Sequence, residues 1–220
     1  MPNTTKNGSL ATTNPDIAKQ WHPTKNGTLQ PTEVSKGTDK KVWWLCEKGH
    51  EWEAKIYSRA HGKGCPYCGN KAVWEGYNDL ATTHPEVAEQ WHPTKNGDLR
   101  PTDVLGGSKK KVWWVCEKKH EWETAIFYRA AGSKCPYCSS QALLTGFNDL
   151  ATTHPVLAFQ WHPTKNGDLR PTDVMGGSRN RVWWLGPCGH EWQAKVYHRA
   201  AGTDCPYCLR PKKKKRSAYD

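Results

Sequence analysis

Between Val42 and Cys68 the chain reads VWWLCEKGHEWEAKIYSRAHGKGCPYC, with three cysteines and one histidine at spacings that suit metal ligation. Cys46 and His50 stand three residues apart, and Cys65 and Cys68 two. Each pair fits one tight turn. Together the two turns offer three thiolates and one imidazole, the donor set of a closed tetrahedral zinc site. The 14 residues between the turns leave room for a strand out and a loop back. Gly49 suits the first turn, and Pro66 pre-sets the backbone of the second.

The same stretch recurs. Trp43, Trp113 and Trp183 lie 70 residues apart, as do His50, His120 and His190, and Cys65, Cys135 and Cys205. The 220 residues therefore divide into a polar lead-in (1–9), three modules (10–79, 80–149 and 150–210) and a basic tail (211–220). A module of this size has little core. Only 36% of residues are hydrophobic and the mean hydropathy is −0.87, so burial alone is a weak source of stability. Structural zinc meets that need, contributing roughly 10–16 kcal/mol of apparent binding energy in small finger peptides. Nine cysteines make three per module. An odd number argues against disulfides within modules and favours thiolate ligation in a reducing compartment. No apolar run reaches the ~18 residues of a membrane span, and MPNTTKNGSL lacks the apolar stretch of a signal peptide. The expectation is a soluble, intracellular protein with no membrane partner.

The elements that position the ligands follow from periodicity. LATTNPDIAKQW, from Leu10, reads as one short helix with Thr13 as its cap, Pro15 in its first turn, and Ile17 and Trp21 on one face. Its copies start at Leu80 and Leu150. Lys25, Asn26 and Gly27 form a turn, and PTEV or PTDV from Pro31, Pro101 and Pro171 forms a second helical turn or loop. The segments SKGTDKK, GGSKKK and GGSRNR are linkers into the first strand. In that strand Val42, Trp44 and Cys46 share one face, and Trp43 and Leu45 the other. In the second strand His50, Trp52, Ala54 and Ile56 alternate with Glu51, Glu53, Lys55 and Tyr57. The pair is a hairpin with the metal at its tip, and the helix is placed to cover its second side. NKAVWEGYND and SQALLTGFND are connectors short enough for adjacent modules to pack together.

Charge points to the partner. The formal net charge is +11; nine thiolates remove nine charges and three Zn2+ restore six, leaving about +8. The tail, with Lys212, Lys213, Lys214, Lys215 and Arg216 against Asp220, holds +4 of that. Lys25, Lys95 and Lys165 in the turn, and Arg59, Arg129 and Arg199 at the end of the second strand, are candidates for phosphate contact, with a solvated face as the competing reading. Trp44 and Trp52 read as core. Trp43 reads either as packing or as a platform for a base. His22, His92 and His162 read as helix-end hydrogen-bonding groups, since four ligands are already supplied in each module. No Ser/His/Asp set, phosphate loop or paired acid is present, which argues against an enzyme.

The combined pattern HPTKNGxLxPTxV, VWWxCxxxHEWxxxIxxR and GxxCPYC resembles the zinc-ribbon, or treble-clef, domain family, and the likeness covers nearly all of residues 10–210. That family occurs in tandem and is sometimes fused to Vsr-like or restriction-type nuclease domains; none of these 220 residues reads as one. The resemblance implies a small zinc-stabilised α+β fold: three tandem treble-clef or zinc-ribbon-like modules, each a short helix plus a β-hairpin with two zinc knuckles. It implies three structural Zn2+ ions, two of them on Cys46, His50, Cys65 and Cys68, and on Cys116, His120, Cys135 and Cys138. The third set rests on Cys205 and Cys208. There the register places Gly186 where a cysteine is due, and the sequence GPCGH offers Cys188 with His190 instead. C-x-H is tight for two ligands on one ion, and the turn must reshape for Cys188 to reach. The implied role is nucleic-acid association, DNA ahead of RNA, mainly through the phosphate backbone. The alternative is a structural adaptor docking on proteins in a large nucleoprotein, chromatin-like or viral assembly. The basic tail fits a nuclear, nucleoid or viral-particle location.

Overall fold

The computed structural model of the protein describes residues 8–208. The lead-in before residue 8 and the tail with Lys212, Lys213, Lys214, Lys215 and Arg216 lie outside the described residues. Contacts between Cα atoms divide the chain into two compact units, one of residues 8–115 with 123–132 and the other of residues 116–122 with 133–208. Three small modules recur along it, each with short helices and a two-stranded antiparallel hairpin.

Each module opens with two helical turns where the sequence suggests one helix. These are α1 (Leu10–Thr13) and α2 (Pro15–Ala18), repeated as α4 (Leu80–Thr83) with α5 (Pro85–Ala88) and α7 (Leu150–Thr153) with α8 (Pro155–Ala158). The break falls at the residue before proline, where Asn14 adopts φ −142° and ψ 64°; the proline ring disfavours helical backbone at that position. Thr13 is not the cap. Ser9 caps α1 through its hydroxyl, and Thr13 Oγ1 donates back to the Ser9 carbonyl at 2.9 Å. Asp79 and Asp149 cap α4 and α7 in the same way.

The hairpins are β1 (Lys41–Leu45) with β2 (Glu51–Lys55), β3 (Lys111–Val115) with β4 (Glu121–Ala125), and β5 (Arg181–Leu185) with β6 (Glu191–Lys195). In the first, Trp44 faces Trp52 and Trp43 faces Glu53. The expected alternation of faces is present: Val42, Trp44 and Trp52 are buried, while Lys41 and Glu53 are exposed. The second strand ends sooner than its alternation suggests, because Ile56 starts a helix, α3 (Ile56–Ala60), echoed by α6 (Ile126–Ala130) and α9 (Val196–Ala200). Ile56 and Arg59, the buried pair of α3, are three apart. Over so few residues a period of 2 and one of 3.6 place Ile56 on the same buried side, so the sequence does not separate them.

A lone two-stranded sheet is marginal in water, and the outer edge of β1 is covered. Leu45 N donates to Gln20 O at 2.8 Å, and His22 N to Trp43 O at 3.1 Å. The Asn26 side-chain amide completes the edge, accepting from Trp43 N at 2.7 Å and donating to Trp43 O at 2.9 Å. One side chain thus imitates a residue of a third strand, and Asn96 and Asn166 repeat it. Beneath, Trp44 is fully buried among Leu10, Val34, Val42, Trp52 and Ile56. Trp21 meets it edge to face at 5.4 Å, so the helical segment covers the hairpin as expected.

Successive modules share backbone partners. In the first unit Asn78 Nδ2 donates to Tyr67 O at 2.8 Å and Ala72 O at 3.0 Å, while its Oδ1 accepts from Trp74 N at 2.7 Å. The next residue, Asp79, is fully buried and accepts from Thr82 N, Thr82 Oγ1 and Gly76 N at 2.8, 2.7 and 2.6 Å. Burial alone would raise its pKa, yet these hydrogen bonds outweigh it and hold the carboxyl below its usual range. Two adjacent residues therefore fasten the CPYC turn of one module to the first helix of the next. Asn148 and Asp149 do the same in the second unit. Replacing Asn78 with alanine strands two carbonyls and an amide. The expected cost is about 1–3 kcal/mol in urea unfolding with zinc present; a loss under about 0.5 kcal/mol would show that water replaces the side chain freely.

Candidate metal centre

The two turns of the first module converge at the hairpin tip. Cys46 N donates to His50 O at 3.1 Å and Gly49 N to Cys46 O at 2.9 Å, which closes the first turn with Gly49 at φ +81°. In the second module Lys119 stands at this place with φ 64°, so a side chain tolerates a left-handed conformation at roughly 1–2 kcal/mol. The second turn is closed by Gly69 N to Cys65 O at 3.0 Å.

Four ligand atoms meet in each module. His50 Nδ1 lies 3.5, 3.7 and 3.3 Å from the sulfurs of Cys46, Cys65 and Cys68, and the Cys46 and Cys68 sulfurs are 3.9 Å apart. In the second set Cys116 and Cys138 are 3.9 Å apart, and His120 Nδ1 lies 3.7 and 3.3 Å from Cys135 and Cys138. Zinc–sulfur bonds of about 2.3 Å and zinc–nitrogen bonds of about 2.0 Å give a tetrahedron with edges of about 3.5–3.8 Å. The observed edges fit that figure and are far too long for a disulfide, whose S–S bond is about 2.05 Å. Donor chemistry, count and spacing agree on zinc in all three clusters.

The third cluster assembles despite its shifted cysteine. Gly186 N donates to His190 O at 3.0 Å and Gly189 N to Gly186 O at 2.9 Å, repeating the hydrogen bonds of the first module's turn. The turn is kept, and the ligand moves along it. A Cβ placed on Gly186 would stand 3.1 Å from the Cys188 sulfur and 3.0 Å from Trp192. Cys188 thus brings its thiol beside the place a residue-186 side chain would fill, from a different backbone position. Cys188, His190, Cys205 and Cys208 have their ligand atoms within 4.8 Å of one another. This site is more open, with His190 exposed where His50 is 3% exposed.

Aromatic rings shield the first two sites. His50 packs against Tyr77 at 4.3 Å, Trp74 at 5.0 Å and Tyr67 at 5.5 Å, and His120 against Phe147 at 4.2 Å. Without a metal the thiols do not ionise together: burial pushes the Cys65 pKa up to about 11, and hydrogen bonds with Cys188 and Cys205 push that of Cys208 up to about 12, while that of Cys205 falls to about 7. A bound dication would supply the charge that lets three thiolates coexist.

The positions proposed for phosphate contact are engaged elsewhere. Arg59, Arg129 and Arg199 are 5, 5 and 6% exposed, so these arginines are core groups in this structure and do not present a cationic face. The physical reason is aromatic stacking: the Arg59 guanidinium lies 5.4 Å from both Trp44 and Trp52 and donates to Gln20 Oε1 and the Lys63 carbonyl. Lys25 Nζ pairs with Glu51 and sits 4.6 Å over Trp43; Lys165 pairs with Glu191 over Trp183, and Lys95 sits 4.6 Å over Trp113. That face of Trp43 is therefore taken by the chain itself. His22 has the expected hydrogen-bonding role. Its Nδ1 accepts from Thr24 N and Lys25 N at 3.3 and 3.2 Å, so its proton sits on Nε2 and faces Glu51 at 3.0 Å. His92 and His162 receive the same pair of amides. Beyond recurrence at one register position, as Gln90 and Gln160, Asn96 and Asn166, and Asn148, nothing in the sequence signals the hydrogen-bonding roles of Gln20, Asn26 and Asn78, and Asn26 reads there only as a turn residue.

Comparison with known proteins agrees with the geometry. The family described as "Probable Treble clef zinc finger domain" matches residues 17–71, 87–141 and 157–211, about three-quarters of the chain. The protein belongs to this treble-clef family. One Cys/His cluster falls within each matched segment. A "Putative endonuclease" of Escherichia phage T5 is 25% identical over 100 residues, which is 45% of this chain and 32% of that protein. The match spans about a third of that relative's length.

A zinc–tris(thiolate)–imidazole centre carries one net negative charge, and the hydrogen-bond acceptors of buried Arg59 are the neutral Gln20 side chain and Lys63 carbonyl. Burial lowers the Arg59 pKa, and the charges of Cys65 and Cys46 act in the opposite direction. Arg59→Met should weaken zinc retention at the first site about tenfold in chelator competition; unchanged retention would assign Arg59 to packing alone. Native mass spectrometry should find three zinc ions in the wild type and two in Cys188→Ser. Two in the wild type would place Cys188 outside the third site.

Proposed function

We propose that the chain is a nucleic-acid-binding array, with duplex DNA as its target, the phosphate backbone as the main contact, and zinc in a purely structural role. The observation that carries this reading is the charge of about +8 that survives once the thiolates and metal ions are counted. The phage relative's name supports it from a distance, and its activity is not carried over. Four protein ligands per site leave no open position for water or substrate, which supports a binding protein over an enzyme. Among the described residues no helix is long and apolar enough to cross a membrane. The PKKKKR run suits either a nucleic-acid arm or an import signal.

One observation favours the adaptor reading for the third module. Val156 and Phe159 are 75 and 91% exposed, where the first module has the Asp16–Lys19 ion pair and the second has Glu86 and Glu89. A protein partner would cover such an apolar pair.

Duplex affinity should fall steeply with salt, and deleting residues 211–220 should lower the slope of log K against log salt by up to about 4. An interaction that ignores salt would speak against phosphate contact. Retained duplex affinity in Val156→Glu/Phe159→Lys would keep that apolar pair out of DNA binding.

A further inference from the structure

We infer that the open end of each hairpin is the phosphate-contacting station of its module, an assignment that rests on the nucleic-acid reading above. The segments read from sequence as linkers supply it. At positions 36, 39, 40, 41 and 55 the first module has Lys, Asp, Lys, Lys and Lys; the second has Gly, Lys, Lys, Lys and Ala at 106, 109, 110, 111 and 125; the third has Gly, Arg, Asn, Arg and Lys at 176, 179, 180, 181 and 195. The residues change, yet each set carries net +3. The hairpin ends hold +9 and the tail +4 of the formal +11, so all other residues together are net −2.

Most of these cations are exposed and uncommitted, unlike Lys25 and Arg59; the exceptions are Lys55, paired with Asp39, and Lys195, whose Nζ lies 5.8 Å over the Tyr197 ring. The side chains of Lys40, Lys41, Lys109, Lys111, Arg179 and Arg181 are exposed, and no hydrogen bond or ion pair involves them among the described residues. Lys55 is held only by exposed Asp39 at 3.3 Å. Like charges face each other across the sheet, Lys41 opposite Lys55 and Arg181 opposite Lys195. Such pairs are destabilising in isolation, and an anion between them reverses the sign. The backbone beneath is fixed: Ile56 N donates to Lys40 O at 3.1 Å, Ile126 N to Lys110 O at 3.0 Å, and Val196 N to Asn180 O at 3.0 Å. The platform is therefore preorganised. In the first module a cleft of about 310 Å³ beside Lys55 adds Lys63 and Lys71 to its walls, against one acid, Glu53.

The test compares two charge-matched triples in the full chain. Lys41→Gln/Lys111→Gln/Arg181→Gln removes one cation from each hairpin end, and Lys25→Gln/Lys95→Gln/Lys165→Gln removes one from each turn. Fluorescence anisotropy on a labelled duplex across salt concentrations should show the first triple at least about tenfold weaker at low salt. Its log K–log salt slope should be smaller by about 2–3, and the second triple should change by less than half as much. Zinc content should be unchanged and the melting temperature equal or higher, since like-charge repulsion is relieved. Lys111→Gln alone repeats the test with a slope smaller by about 1. Equal losses in both triples, or none in the first, overturn the assignment while leaving nucleic-acid binding intact. A wild type that binds no nucleic acid overturns both, and retention on heparin alone would then mark a general polyanion site.

Discussion

Closure of two short turns around one dication is the constraint on which the rest of each module depends. The first module has seven buried hydrophobic residues at its core, one of them the ligand Cys65. A set that small cannot hold a hairpin, two helical turns and a 14-residue excursion together through apolar burial alone. The metal centre ties the hairpin tip to the CPYC turn, and the intervening chain is then forced back across Trp44 and Trp52. Losing Trp44 by truncation would cost about 3–5 kcal/mol. Core and metal site thus share residues instead of adding independently.

The buried arginine belongs to the same economy of charge. Arg59 packs against the rings of Trp44 and Trp52, with neutral acceptors at its amino groups. An isolated buried cation is costly, and the thiolate cluster nearby is the opposite charge that offsets it. Zinc therefore stabilises the fold through its ligand bonds, and the centre it forms with three thiolates is opposite in charge to the arginine. The bond to Gln20 extends this centre to the helix exit, where Asn26 and His22 secure the strand edge.

Repetition shows which parts tolerate change. Asn78 with Asp79, and Asn148 with Asp149, bind one module's CPYC turn to the next module's first helix, each within one unit. The third metal cluster keeps its backbone turn while its first thiol moves from position 186 to 188. Ligand atoms must meet in space, but the backbone position that delivers them is free to shift. At the hairpin ends identity also drifts, from lysine to arginine or asparagine, while the charge is kept.

Metal chemistry, module count and strand faces were legible in the chain because each depends on residue type at fixed spacing. Cys46, His50, Cys65 and Cys68 announce their role by chemistry alone, and Trp43 and Trp44 announce opposite faces by alternation. Three-dimensional structure was needed wherever a residue's role depends on what lies opposite it. Arg59 reads as a surface cation until the rings of Trp44 and Trp52 are seen packed against it. Lys25 reads as a phosphate contact until Glu51, 26 positions away, is brought beside it. Asn26 is an ordinary turn residue until the Trp43 backbone arrives at its amide. The helix from Ile56 hides within an alternating strand because five residues are too few to separate the two periods. Local spacing specifies which atoms can bind a metal ion; only long-range packing decides which charged groups remain free to meet anything else.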